Sequence, residues 1–111
     1  MKEAIFHDKA LESLREFTNE AKKETGQAIR DLQRGMALEM PLSRPMPSVG
    51  IGVSETRVRD SEGIYRTFYY VKSSKGILVF HAFVKKTQKT PSKEIEIARK
   101  RLREMLNEEK K

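Results

Sequence analysis

Six cations in the second half of the chain have the types and spacing that phosphate chemistry asks for: Arg57, Arg59, Arg66, Lys85, Lys86 and Lys89. Arg57 and Arg59 stand two apart in an alternating run, so a strand would present both on one face. Arg66 follows the turn-forming "DSEG", and antiparallel pairing across that turn brings it near Arg57 or Arg59. Lys85 and Lys86 end a third, apolar run, with Lys89 just beyond. A guanidinium grips phosphate oxygens with two parallel hydrogen bonds. A lysine among other cations has a lowered pKa and becomes able to move protons. Together such groups suit metal-free cleavage of RNA through its own 2′-hydroxyl. That reaction needs a proton acceptor, cations for the charge at phosphorus and a donor to the leaving 5′-oxygen. The plainer reading is a solvated strand face. Like charges side by side destabilise a sheet, and Glu55 is the acid nearest to hand to offset them.

Other chemistries find little material. There is no glycine-rich phosphate loop, no nucleophile elbow and no histidine spacing suited to zinc. With no cysteine there is neither a disulfide framework nor a thiolate metal site, which fits a reducing cytoplasm. His7 and His81 are far apart in sequence, and His81 falls within a strand, where a hydrogen-bonded core histidine is the default. No metal site and no cofactor is expected. No apolar run reaches membrane-spanning length, so the expected location is the cytoplasm. The net charge of +7 is unevenly spread. Residues 1–43 hold seven Lys/Arg against eight Asp/Glu, and residues 44–111 hold sixteen against eight. A basic half of +8 points to a polyanion or an acidic protein as partner.

The elements that must carry these residues are legible as periodicities. At 111 residues, the chain reads as one domain spanning 1–111. Residues 3–6 are a short β-prone piece, and Asp8 is a candidate cap for a first helix whose apolar stripe is Ala10, Leu11, Leu14 and Phe17. Thr18-Asn19 offers a break and a new cap. Ala21, Ala28, Ile29, Leu32 and Met36 then mark a second helix, and the two should form a hairpin. Residues 41–52, with three prolines and two glycines, read as an irregular connector. Residues 53–59 alternate with Val53, Glu55, Arg57 and Arg59 on one face and Ser54, Thr56 and Val58 on the other. Residues 64–72 place Arg66, Phe68 and Tyr70 against Tyr65, Thr67, Tyr69 and Val71. Residues 77–85 are apolar on both sides and should lie buried between two layers. Thr90 with Pro91 opens a last helix, striped by Ile95, Ala98, Leu102, Met105 and Leu106. The expectation is an α+β fold with one sheet face under helices and the other open, lined by the arginines.

At this point the sequence resembles a known group. "VGIGVSETRVR", "GIYRTFYYVK", "HAFVKKTQKT" and a final helix with "ARKR" resemble the phage-derived, HigB-like branch of the RelE/ParE toxin superfamily. The resemblance implies the RelE-like fold, a helical hairpin and a C-terminal helix packed on a small twisted antiparallel sheet. It implies a toxin of a type II toxin–antitoxin system, a ribosome-dependent mRNA endoribonuclease needing no metal. The implied partners are a helix-turn-helix antitoxin of HigA type, the ribosome and mRNA. Carried over by motif, Arg57, Arg66, Lys85 and Lys86 are the expected catalytic cations, with Arg66 as the phosphate clamp. Arg59 and Lys89 would bind RNA, and Phe83 and Tyr70 are candidates for stacking on a base, with packing in the core as the alternative for each. Two other readings remain open on the same fold, a ParE-like inhibitor of DNA gyrase and a catalytically silent relic. One residue departs from the motif. Thr56 replaces the usual Ile or Leu and points toward the helices, where an unpartnered hydroxyl costs roughly 1–3 kcal/mol.

Overall fold

The computed structural model describes residues 1–85 and 90–109. In chain order the elements are β1 (Ala4–Phe6), α1 (Asp8–Arg15), α2 (Asn19–Gln33), β2 (Ser43–Pro45), β3 (Val53–Asp60), β4 (Gly63–Tyr70), β5 (Ile77–Lys85) and α3 (Ser92–Glu109). The strands form one sheet in the order β1-β5-β4-β3-β2. The α+β class and the RelE-like arrangement of a helical hairpin, a small sheet and a C-terminal helix are as expected. Two features of the sheet differ from expectation. It is mixed rather than antiparallel, because β1 runs parallel to β5. It also gains an edge strand from within residues 41–52, where Arg44 pairs with Glu55 and Pro45 with Ser54. Proline is tolerated there because an edge strand leaves one row of amides out of the ladder.

Local chemistry sets the helix ends. His7, not Asp8, caps α1, its Nδ1 accepting from the Lys9 amide at 3.2 Å, and Asp8 becomes the first helical residue. Thr18 caps α2 as its type suggests, accepting from the Ala21 amide at 3.2 Å. The same hydroxyl donates to Asp60 Oδ2 at 2.9 Å. Asp60 Oδ1 in turn accepts from the amides of Glu62 and Gly63 in the β3–β4 turn. One hydroxyl therefore ties the helical hairpin to the strand hairpin. Helix α2 stops at Gln33, which leaves Met36 exposed beyond it rather than on its stripe. At α3 the first carbonyl used is that of Pro91, which accepts from the amides of Glu94 and Ile95.

The helices take both faces of the sheet, which corrects the expectation of an open face. On one side Phe17 and Ala21 pack on Val58, Tyr65 and Ala82, while Ile29 and Leu32 pack on Tyr69, Ile77 and Val79. On the other side α3 lays Ala98, Leu102 and Met105 over Val53, Phe68, Leu78 and Phe80. Helix α3 is amphipathic and must bury its stripe, and the apolar residues of this second face are what it finds. The end of the sheet bearing Arg57 and Arg59 lies outside that apolar cluster.

A bulge decides which side chains α3 meets. The β4–β5 register runs Phe68 to His81 and then Tyr69 to Val79, so Phe80 is the extra residue. Strict alternation would put Phe80 and His81 on opposite faces. The bulge brings both to the α3 side, Phe80 in its apolar cluster and His81 against Glu94 and Arg101. Just before β5, Gly76 has φ +144°, and a Cβ there would lie 2.2 Å from the Glu3 carbonyl oxygen. Only glycine lets β1 approach closely enough for the Ile77 amide to bond that carbonyl at 2.8 Å.

Thr56 stands where its alternation places it, 1% exposed beneath the hairpin, and its hydroxyl has no hydrogen-bond partner among the described residues. Its cross-strand partner Thr67 and the α2 residue Thr25 are in the same condition. Thr56→Val is expected to raise stability by about 1 kcal/mol, since it removes a buried polar atom at nearly constant volume. Urea unfolding checks this, and a loss of stability would mean that the hydroxyl is satisfied in solution.

Candidate functional site

The register of the sheet gathers the cations expected from sequence. Arg57 pairs with Arg66, and Arg66 with Phe83. One row further, Arg59 pairs with Ile64, and Ile64 with Lys85. Arg57, Arg59, Arg66 and Lys85 thus share one face at one end of the sheet. Lys86 and Lys89 lie outside the described residues.

One carboxylate organises this end. Glu55 is fully buried, and its Oε1 accepts from Arg66 Nη1 at 2.8 Å and from Arg44 Nε at 2.9 Å. Arg57 Nε stands 3.8 Å from the same oxygen. The offsetting acid expected for the paired arginines is therefore in place. Among the described residues three guanidiniums stand around this one carboxylate, so positive charge exceeds negative there, and Arg59 adds to the field at Arg57. Burial, then the neighbouring Arg44 and Arg66, hold the Arg57 pKa below its ordinary value, against the pull of Glu55.

Arg66 occupies a different place from the one its motif suggests. It is fully buried, with Nη1 bonded to Glu55 and, at 3.1 Å, to the Thr90 hydroxyl. In this conformation it fixes Glu55 and the entry to α3 and does not face solvent. Thr90 accordingly serves Arg66, while Pro91 supplies the first carbonyl of α3. Among the described residues at this end, the cations with exposed surface are Arg57, whose side chain is 18% exposed, Arg44 at 36%, the exposed Arg59 and the half-buried Lys85. A groove beside them is lined by Glu24, Pro41, Leu42, Arg57, Val58 and Arg59. Phe83 is packed edge-on to Phe68 at 5.7 Å within the α3 cluster, and Tyr70 packs against the same cluster. The core reading fits both aromatics, because a base needs an open ring face to stack on.

Sequence reasoning missed Arg44. It enters through the edge pairing of β2 with β3, and a three-residue strand ending in proline carries no periodic signal. His81 is the buried, hydrogen-bonded histidine its position suggested. Arg101 Nη1, which can only donate, meets Nδ1 at 2.9 Å, so Nδ1 accepts and Nε2 carries the proton donated to Glu94 at 2.8 Å. Burial lowers the His81 pKa against the attraction of Glu94. A histidine whose folded pKa is depressed takes up a proton more readily when unfolded, so stability falls as pH drops below its ordinary value of 6.5. Urea titrations between about pH 7.5 and 5 should show this decline, and His81→Gln should flatten it. An unchanged slope in His81→Gln would assign the decline to other groups.

None of the curated proteins matches the chain. A family model does, described as a phage-derived protein, Gp49-like, and it spans residues 12–103. That span runs from the first helix through the arginine-bearing strands to the middle of α3, the elements that build the cationic end of the sheet. The chain belongs to the Gp49-like family of phage-derived proteins, a family of RelE-like, toxin-like character.

Proposed function

We propose that this protein is the toxin of a type II toxin–antitoxin pair and acts as an endoribonuclease on ribosome-bound mRNA. The observation that carries the reading is the excess of guanidiniums around Glu55, with Arg59 and Lys85 on the same sheet end. Membership of a toxin-like family supports it. In the reaction the 2′-oxygen bonds to the neighbouring phosphorus, the bond to the 5′-oxygen breaks, and a cyclic phosphate and a 5′-hydroxyl result. Negative charge grows on the phosphoryl oxygens as this happens, and Arg57, with Arg44 and Arg59 beside it, is placed to stabilise it. Arg66 is a positioning residue that works through Glu55. Lys85, with Lys86 next in the chain, is assigned to proton transfer or charge stabilisation. The ribosome would hold the RNA in the reactive geometry, so naked RNA should be a poor substrate. A small helix-turn-helix antitoxin with an acidic surface would cover the cationic end.

Purified protein added to translating ribosomes should cut transcripts at discrete positions inside the reading frame, mapped by primer extension. Lys85→Ala should slow that cleavage by about a hundred- to ten-thousand-fold, the scale of one general acid–base contribution. Intact transcripts together with inhibited gyrase supercoiling would replace this reading with the ParE-like one. Intact transcripts and active gyrase would leave a protein that acts by binding alone.

A further inference from the structure

A second cationic hollow lies away from Glu55, where the start of α1 meets the middle of α3. Its walls are His7, Lys9, Ile97, Lys100, Arg101 and Glu104, and it encloses about 310 Å³. Lys9 and Lys100 are both exposed. The acid among these residues is already engaged, since Glu104 Oε1 meets His7 Nε2 at 3.4 Å. Arg101 is held by neutral acceptors, the Phe80 carbonyl at 3.4 Å and His81 Nδ1 at 2.9 Å, both through Nη1. Glu94, a further carboxylate whose charge reaches Arg101, lies outside these walls and accepts from His81 Nε2. Lys9, Lys100 and Arg101 against Glu104 leave an excess of two positive charges with His7 neutral.

Such an arrangement has a cost without an anion. Burial lowers the Arg101 pKa, the sign of a cation whose surroundings do not fully repay its lost hydration. The two anchoring bonds fix the plane of the fork, so little rotamer freedom is left to lose when a ligand arrives. Lys9 and Lys100, both exposed, add two flexible ammonium donors to the same hollow.

We infer that this hollow is a phosphate-binding site, and that its ligand is a backbone phosphate of single-stranded nucleic acid. Arg101 supplies the preorganised fork and Lys9 and Lys100 the flanking charges, while His81 serves as its anchor through Nδ1. The site stands independently of the nuclease reading, because binding here needs no cleavage.

The test uses the purified chain and a fluorescent single-stranded RNA in anisotropy titrations at several salt concentrations. Lys9→Ala/Lys100→Ala should weaken binding about ten-fold at low salt and reduce the slope of log affinity against log salt by about 1.4, the loss of two phosphate contacts. Both residues are exposed, so the fold should be unaffected. Lys22→Ala/Lys23→Ala on α2 makes the same change in charge at two exposed lysines outside the walls of the hollow and should have a much smaller effect. Inorganic phosphate at millimolar concentration should shift the ring nitrogen signals of His7 and His81 in NMR spectra. Equal losses in the two double variants, or imidazole signals that phosphate leaves unmoved, would overturn the site. Shifts with inorganic phosphate but an unchanged salt slope with RNA would overturn its assignment to nucleic acid.

Discussion

Glu55→Ala should destabilise the fold by about 3–5 kcal/mol, the usual consequence of leaving a buried charge without its partner. Arg66 has no exposed surface, and its Nη1 depends on Glu55 Oε1 at 2.8 Å. Removing the carboxylate also leaves Arg44 and Arg57 facing Arg66 with nothing between them. The reciprocal change is milder. In Arg66→Met the carboxylate keeps Arg44 at 2.9 Å and Arg57 at 3.8 Å, and the new side chain fills similar apolar space. Glu55→Gln should fall between them, since it keeps an acceptor oxygen and loses the charge. Urea unfolding of the three variants checks the order. A loss below about 1 kcal/mol in Glu55→Ala would show that water or rearrangement screens the cluster in solution.

Arg57→Ala is expected to reduce ribosome-dependent cleavage about a hundred- to thousand-fold, the scale for losing one preorganised donor to transition-state charge. Its effect on stability should be small. Its contact with Glu55 is longer than those of Arg44 and Arg66, and its removal relieves the like charge directly opposite on Arg66. Arg57→Lys should recover little activity, because an ammonium cannot make the two parallel bonds of the fork. The distinguishing result is the pair of measurements taken together. Lost cleavage with intact stability marks a group acting on substrate. Equal loss in both would mean that Arg57 only supports the fold, and full cleavage would move the chemistry away from this end of the sheet.

Much of this architecture was legible because its signals are local. Alternation placed Arg57 with Glu55, and Arg66 with Phe68, on one face, and the "DSEG" turn brought Arg66 near Arg57 or Arg59, between which the register of the sheet chooses Arg57. Thr18 announced the start of α2, and the stripe Ala98, Leu102 and Met105 announced the buried face of α3. The pairing of β1 with β5 and the strand in the proline-rich connector were not legible. Each rests on three residues, too few for a period, and each forms only because a neighbour offers an open edge.

By itself, then, the sequence determined the secondary elements other than β2, the faces of β3 and β4, the excess of positive charge and the placing of a hydroxyl at Thr56 beneath the helices. What each arginine does with its charge was decided by tertiary structure. Whether a guanidinium meets solvent or a carboxylate depends on what crosses above it, and no pattern along β4 reports that Thr90 and Glu55 close over Arg66. The bulge at Phe80 is the same kind of fact. One extra residue, unpaired with β4, turns His81 toward α3 and gives Arg101 its anchor. Period and charge are properties of the chain, whereas burial belongs to contacts between segments far apart in it.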